Sequence, residues 1–128
     1  LFEKGLLKLD DKVTKYYPDF PYEDVTIKHL LNHTSGLPQY FWLAEHEWKN
    51  KKAPTNSEMM KMLAEYKLQH YFKSGSRFDY SNTGYFVLAS LVEKISKESY
   101  RDFVEKNIFK PLGMSNSYVY RFNQDDIE

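Results

Sequence analysis

The segment Tyr80-Ser81-Asn82 contains side chains whose types and spacing suit acyl-transfer chemistry. A tyrosine phenol, with a reference pKa of about 10, can relay a proton from a serine nucleophile if a nearby lysine stabilises the phenolate. An asparagine amide two residues later can bind a substrate carbonyl. The triplet equally suits the start of a helix, with Ser81 or Asn82 as the cap and Tyr80 buried with its hydroxyl bonded. Taken alone, the triplet favours the helix start.

Two histidines raise the possibility of a metal site. His29 and His33 are four residues apart, so both could face one ion from a helix. The zinc-protease motif requires a glutamate directly after the first histidine, and Leu30 occupies that position. The sequence offers no evident third ligand. We therefore expect no metal and no cofactor, and a capping or surface role for His33.

Carboxylates and tryptophans are the remaining candidates. No carboxylate has an apolar setting that would raise its pKa toward neutrality, as a general acid requires, so solvated positions are predicted. Packing against a long loop is the favoured interpretation for Trp42 and Trp48. The paired carboxylates are Asp10 with Asp11, Glu45 with Glu47 and Asp125 with Asp126.

Bulk composition limits the possible classes. The chain has 128 residues, which suits one domain or one large subdomain, and 41% of them are apolar, which is enough for a core. Lys+Arg and Asp+Glu number 18 each and are interspersed, so no basic patch for nucleic acid is present. No apolar run approaches the roughly 20 residues of a transmembrane helix. Cysteine is absent, which excludes disulfides and thiol catalysis.

Capping residues predict where the first two helices begin. Thr26 suits the cap of a helix over residues 27–33, with Gly36 as its left-handed stop. Thr55 and Glu58 match a capping box that opens a helix over residues 57–67.

Two further helices are predicted in the second half of the chain. Ser99 and Asp102 resemble another capping pair, for a last helix that must end before Pro111. A helix of about four turns follows Asn82, and it is expected to be the most buried one. Its inward face is predicted from apolar residues that recur at helical spacing, namely Tyr85, Leu88, Val92 and Ile95.

The segments between these helices are predicted as loops. Residues 16–24 contain two prolines and should be extended, and residues 36–56 form a long loop. Residues 117–122 alternate weakly and could form one strand. The sequence thus predicts a mainly α fold with at most a strand or short hairpin, as a single helical subdomain over residues 1–128.

Four segments, in this order, resemble the penicillin-recognising serine hydrolases, in the branch of class C β-lactamases, D-alanyl-D-alanine carboxypeptidases and esterases. They are LLKLDDKVTKYYPDFP, TIKHLLNHTSGLP, FDYSNTGYFVLASLVEKIS and FKPLGMSNS. The resemblance implies a serine β-lactamase or penicillin-binding-protein-like α/β fold, of which this chain would be the helical region without the flanking sheet. The family is usually exported to the periplasm or cell surface, but the sequence does not fix the localisation.

The resemblance also implies three catalytic motifs. Tyr-x-Asn matches Tyr80 and Asn82, which are therefore the expected catalytic residues, whereas Ser81 falls on the variable position. No Ser or Thr has a Lys three residues later, so the Ser-x-x-Lys motif that supplies the nucleophile is not found here. HTSG does not fit the strand motif, Lys-Thr-Gly or His-x-Gly. We expect the chain alone to be inactive.

Two hypotheses of function remain open. In the first, the chain is a fragment of a serine hydrolase that makes and hydrolyses an acyl-enzyme from a β-lactam, a D-Ala-D-Ala peptide or an ester. In the second, it is a non-catalytic helical binding module that retains the motif. For the chain alone we expect self-association, because an uncovered sheet-facing surface would be apolar and the sequence pI is near 7.1.

Overall fold

The computed structural model of the protein describes residues 1–120. A 3-10 turn at Val13–Lys15 precedes the first helix, and a π-helical turn at Glu105–Phe109 continues the last one. Within residues 1–120 there is no β-strand, and Lys12 and Thr26 form an isolated antiparallel bridge. The five α-helices are α1 Ile27–Leu31, α2 Phe41–His46, α3 Asn56–Tyr66, α4 Asn82–Ser96 and α5 Tyr100–Val104. The mainly α prediction is confirmed.

The starts of α1, α3 and α5 follow the predicted capping residues. The Thr26 hydroxyl accepts a hydrogen bond from the His29 amide at 3.3 Å, and the Thr55 hydroxyl accepts one from the Glu58 amide at 3.2 Å. Ser99 caps α5 in the same way. Each bond satisfies a backbone donor that has no partner within the helix. The predicted loop over residues 36–56 is not wholly irregular, because it contains α2.

The end of α1 differs from the prediction. His33, rather than Gly36, is the left-handed residue that stops the helix, with φ 55°. The His33 amide donates to the Leu30 carbonyl at 3.3 Å, and the Thr34 amide donates to the His29 carbonyl at 2.9 Å, which is a Schellman arrangement. The sequence prediction was wrong because it assigned this position to the nearest glycine.

Helix α4 is central, because α1, α3 and α5 all pack against it. Its N-terminal half lies close to α1: a Cβ on Gly84 would come within 3.4 Å of the Leu30 carbonyl oxygen. A side chain at position 84 would thus meet the α1 backbone directly, and the buried face combines small residues with Val87 and Leu91. The buried residues of α4 are Thr83, Gly84, Val87, Ser90 and Leu91.

The predicted inward face of α4 is wrong by about one position. Tyr85 is 50% exposed, and Leu88, Val92 and Ile95 are half-buried. The prediction followed the largest apolar residues, but Gly84 marks the close approach to α1. Leu88 and Val92 instead line an apolar groove of about 340 Å³, together with Leu1, Leu7 and Phe103.

The C-terminal predictions are tested only in part. Residues 117–120 are irregular rather than a strand, while Arg121 and Phe122 lie outside the described residues. The pair Asp125 and Asp126 also lies outside them. Across residues 1–120, none of the helices combines the length and hydropathy that spanning a bilayer requires.

Candidate functional site

Ser81 is the cap of α4. Its backbone is extended, at φ −130° and ψ 112°, and its hydroxyl accepts a hydrogen bond from the Gly84 amide at 3.1 Å. The residue is only 4% exposed. The Ser81 hydroxyl therefore serves the helix start and is buried away from solvent.

The residues on either side of Ser81 face solvent. Tyr80 is 61% exposed, and Asn82, the first residue of α4, is also exposed. Within residues 1–120, neither the Tyr80 hydroxyl nor the Asn82 side chain has a hydrogen-bond partner. One interpretation of the triplet placed Tyr80 in the core with its hydroxyl bonded. That interpretation is wrong, because Ser81 is the residue of the triplet that is buried. The phenol and the amide are both available to a ligand at the start of α4.

An aromatic cluster supports the ring of Tyr80. The His33 ring centroid lies 4.6 Å from that of Tyr80, with 31° between the planes, and 4.9 Å from that of Tyr85, with 18° between the planes. Phe78 contacts the same imidazole edge-on at 5.9 Å. We name these four residues, Phe78, Tyr80, Tyr85 and His33, the His33 cluster.

Hydrogen bonds attach the end of α1 to the segment that carries Tyr80. The Asp79 amide donates to the His33 carbonyl oxygen at 2.8 Å, and the Ser81 amide donates to His33 Nδ1 at 3.2 Å. Because Nδ1 accepts, the neutral imidazole carries its proton on Nε2. Residues that are distant in sequence are thereby held together at the start of α4.

Thr83 fixes the next turn of the site. Its hydroxyl donates to the Pro38 carbonyl at 2.7 Å and accepts from the Tyr40 amide at 3.0 Å, and the residue is fully buried. These bonds join α4 to the segment that leads into α2. The start of α4 is therefore bound on two sides by residues 33–40.

Residues 34–36 are bound in turn to the loop over residues 70–75. The Tyr71 amide donates to the Gly36 carbonyl at 2.9 Å, and the Gly75 amide donates to the Thr34 carbonyl at 2.8 Å. Gly36 has φ 70°, and a Cβ there would overlap the Phe72 carbonyl oxygen. The backbones approach so closely that only glycine fits at position 36.

The histidine pair does not form a metal site. His29 Nδ1 accepts a hydrogen bond from the Thr26 amide at 3.3 Å, which completes the capping box, and its ring packs on Gly75. His33 belongs to the His33 cluster. Among residues 1–120, no group of three or more metal-ligating side chains occurs.

Two carboxylates of the candidate pairs, Asp11 and Glu47, accept hydrogen bonds from neighbouring side chains. Asp11 accepts hydrogen bonds from the Lys15 ammonium at 2.9 Å, the Tyr16 hydroxyl at 2.7 Å and the Lys8 amide at 2.8 Å. These bonds, led by that from Lys15, lower the pKa of Asp11 to about 2. Glu47 accepts a hydrogen bond from the Tyr66 hydroxyl at 3.0 Å.

The tryptophans lie around α2. Trp48 packs against the core, and its indole donates to the Lys52 carbonyl at 2.7 Å, so the packing role predicted for it is confirmed. Trp42 is 46% exposed and stacks on His46 at 5.0 Å.

Two residues build this site in ways that the sequence did not predict. Thr83 was overlooked because a threonine within a helix has no distinctive spacing. For His33, a capping or surface role was predicted. The signal that could have identified it is a histidine at the end of a helix, where glycine is usual.

Comparison with known proteins places these features in a family. The family model described as beta-lactamase matches residues 1–126. Penicillin-binding protein 4* of Bacillus subtilis is 47% identical over 120 residues, which are 94% of this chain and 27% of that protein. The chain thus spans about a quarter of the length of this curated relative.

Solved structures of related proteins resemble this chain in fold. The penicillin-binding protein from Bacillus halodurans superposes with a TM-score of 0.81 at 32% identity, over 98% of this chain and 38% of that one. The D-amino acid amidase from Ochrobactrum anthropi SV3 superposes with a TM-score of 0.71 at 28% identity, over 89% of this chain and 32% of that one.

Proposed function

Because the chain belongs to the penicillin-recognising serine hydrolases of the beta-lactamase family, we propose that it supplies the helical side of a catalytic cleft for acyl transfer. Tyr80 and Asn82 are the residues of this chain that act in the reaction. The substrate is a β-lactam, a peptide ending in D-Ala-D-Ala or a small ester.

The chemistry assigns a role to each residue. The Tyr80 phenolate accepts the proton of the attacking serine hydroxyl and returns it to the leaving group as the acyl-enzyme forms. The Asn82 amide hydrogen-bonds to a carbonyl oxygen of the substrate and orients it. The serine and the lysine that stabilises the phenolate belong to a Ser-x-x-Lys motif, which no Ser or Thr of this chain satisfies.

The observation that carries the proposal is the division of the triplet at the start of α4. Ser81 is buried and caps the helix. Tyr80 is 61% exposed, and its ring packs against the imidazole of His33. Among the tyrosines of residues 1–120, Tyr80 is the most exposed. An exposed phenol held by a rigid turn suits a group that meets a ligand.

The test begins with the reading frame that contains this chain. A Ser-x-x-Lys codon set upstream of Leu1 is expected, and the protein expressed from that frame should be acylated by a fluorescent penicillin. Peptide mass mapping should locate the label on that serine. Turnover of nitrocefin, of a D-Ala-D-Ala peptide and of a p-nitrophenyl ester distinguishes the three substrate classes. Residues 1–128 alone should show none of these activities.

Tyr80→Phe removes the phenol oxygen and should lower kcat for acylation by about 10²- to 10⁴-fold, the usual contribution of general acid–base catalysis. Tyr85→Phe is the matched control, because Tyr85 is an exposed tyrosine of the same cluster, and its activity should match the wild type. Equal activity of Tyr80→Phe and Tyr85→Phe would reject the catalytic role. A frame without Ser-x-x-Lys would favour the binding-module hypothesis.

A further inference from the structure

His33 stops α1 in a conformation that glycine adopts most easily. Its φ of 55° lies in the left-handed region, where a Cβ is disfavoured. Lys67 and Lys97 end α3 and α4 in similar conformations, and both of their side chains are exposed. The side chain of His33 is instead half-buried in the His33 cluster. Of these three residues, His33 is the one whose side chain packs against other side chains of the site.

The bonds of His33 flank Tyr80 in the chain. Its carbonyl oxygen accepts from the amide of Asp79, the residue before Tyr80, at 2.8 Å. Its Nδ1 accepts from the amide of Ser81, the residue after Tyr80, at 3.2 Å. One residue therefore fixes the backbone on both sides of the tyrosine.

The imidazole also fixes the tyrosine ring. Tyr80 is 61% exposed, so solvent surrounds most of its side chain. In the described part of the chain, its ring contacts one aromatic neighbour, the imidazole of His33, at a centroid distance of 4.6 Å. Without that face, the phenol would be free to adopt other staggered side-chain conformations.

We propose that His33 is a positioning residue for Tyr80, which sets the direction of the phenol and the path of the turn that leads to Asn82. The kinetic consequence rests on the proposed function of Tyr80. A correctly directed phenol raises the fraction of bound substrate that is in reactive geometry, so His33 acts on kcat more than on KM.

The test uses the protein expressed from its complete reading frame. His33→Gly removes the imidazole and its hydrogen-bond acceptor, and it also relieves the strain of the left-handed backbone. If His33 served only to stop the helix, the protein would therefore tolerate this substitution. For a positioning residue, kcat for acylation should fall about 10- to 100-fold with little change in KM. His33→Asn tolerates the left-handed backbone and retains a side-chain acceptor for the Ser81 amide, so it should recover part of that loss.

Lys97→Gly is the matched control. It makes the same backbone change at φ 63°, at the opposite end of α4, and should leave kcat unchanged. Fluorine NMR of protein labelled with fluorotyrosine gives a second measurement, with the Tyr80 signal assigned by Tyr80→Phe. That signal should shift in His33→Gly and remain in place in Lys97→Gly.

The outcomes separate this inference from the proposed function. If the wild-type protein is neither acylated nor active, the proposed function fails, and the fluorine signal alone decides whether His33 positions the ring. An unmoved Tyr80 signal in both His33→Gly and His33→Asn would overturn the inference. For an active enzyme, kcat within twofold of wild type in His33→Gly would also overturn it.

Discussion

The hydroxyl of Thr83 donates a 2.7 Å hydrogen bond to the carbonyl oxygen of Pro38. The same hydroxyl accepts a hydrogen bond from the Tyr40 amide, so one buried side chain joins the first turn of α4 to the segment before α2. The site at the start of α4 depends on such contacts between distant segments.

Thr83→Val should lower the free energy of unfolding by about 2 kcal/mol, because two buried backbone groups lose their partner while the side-chain shape is kept. Thr83→Ser is the control: it keeps the hydroxyl and should lose about 1 kcal/mol through the missing methyl group. Urea denaturation of both variants measures the difference. A valine variant as stable as the serine variant would contradict the role of the hydroxyl.

Gly36→Ala should lower the free energy of unfolding by more than the roughly 1–2 kcal/mol of left-handed backbone strain, because the new methyl group overlaps the Phe72 carbonyl oxygen. Gly113→Ala isolates that strain, since its φ is 67° and no atom lies near its added Cβ. Thermal and urea unfolding compare the two. Equal losses would mean that the backbones at 36 and 72 are not in close contact.

Leu91→Ala should cost about 2–5 kcal/mol, because this side chain is 1% exposed in the core. Leu88→Ala should cost clearly less, since Leu88 is half-buried at the apolar groove. Both variants remove the same atoms from a leucine, so the comparison reports the difference in burial between two adjacent faces of α4. Urea denaturation measures the free energy of unfolding of both variants. A larger loss of stability for Leu88→Ala would support the inward face predicted from the sequence.

The pKa of Asp11, about 2, predicts an acid-dependent loss of stability. The folded pKa lies below the unfolded value of about 4, so the stabilisation is complete above about pH 4 and is lost as the pH falls through about 2. NMR titration of the Asp11 carboxyl carbon measures the pKa directly. The stability difference between wild type and Asp11→Asn should shrink over that pH range, whereas a difference independent of pH would refute the assignment.

Residues 1–128 alone should self-associate through the apolar groove that Leu88 and Val92 line, with a second copy of the chain covering it. Phe2 and Leu6 beside this region are 55% and 50% exposed, and the formal net charge is zero, so little repulsion opposes contact. Sedimentation velocity over a wide concentration range should show mass increasing with concentration. Leu88→Asp should reduce it, and a monomer at all concentrations would reject the prediction.

The sequence by itself determined the starts of α1, α3, α4 and α5, because each depends on residues that are close in the chain. Thr26, Thr55 and Ser99 each bond an amide three residues later, so the caps follow from local spacing. The Tyr-x-Asn motif and the order of the four characteristic segments are also properties of the sequence alone, and they predicted the family.

Tertiary structure alone decided which surfaces are buried and which residues support Tyr80. The inward face of α4 depends on how near α1 approaches Gly84, and no pattern within α4 contains that distance. His33 and Ser81 are 48 residues apart, so their bond exists only after α1 and α4 have packed. Local hydrogen bonds are set by neighbours in the chain, whereas packing is set by segments that meet only in the folded molecule.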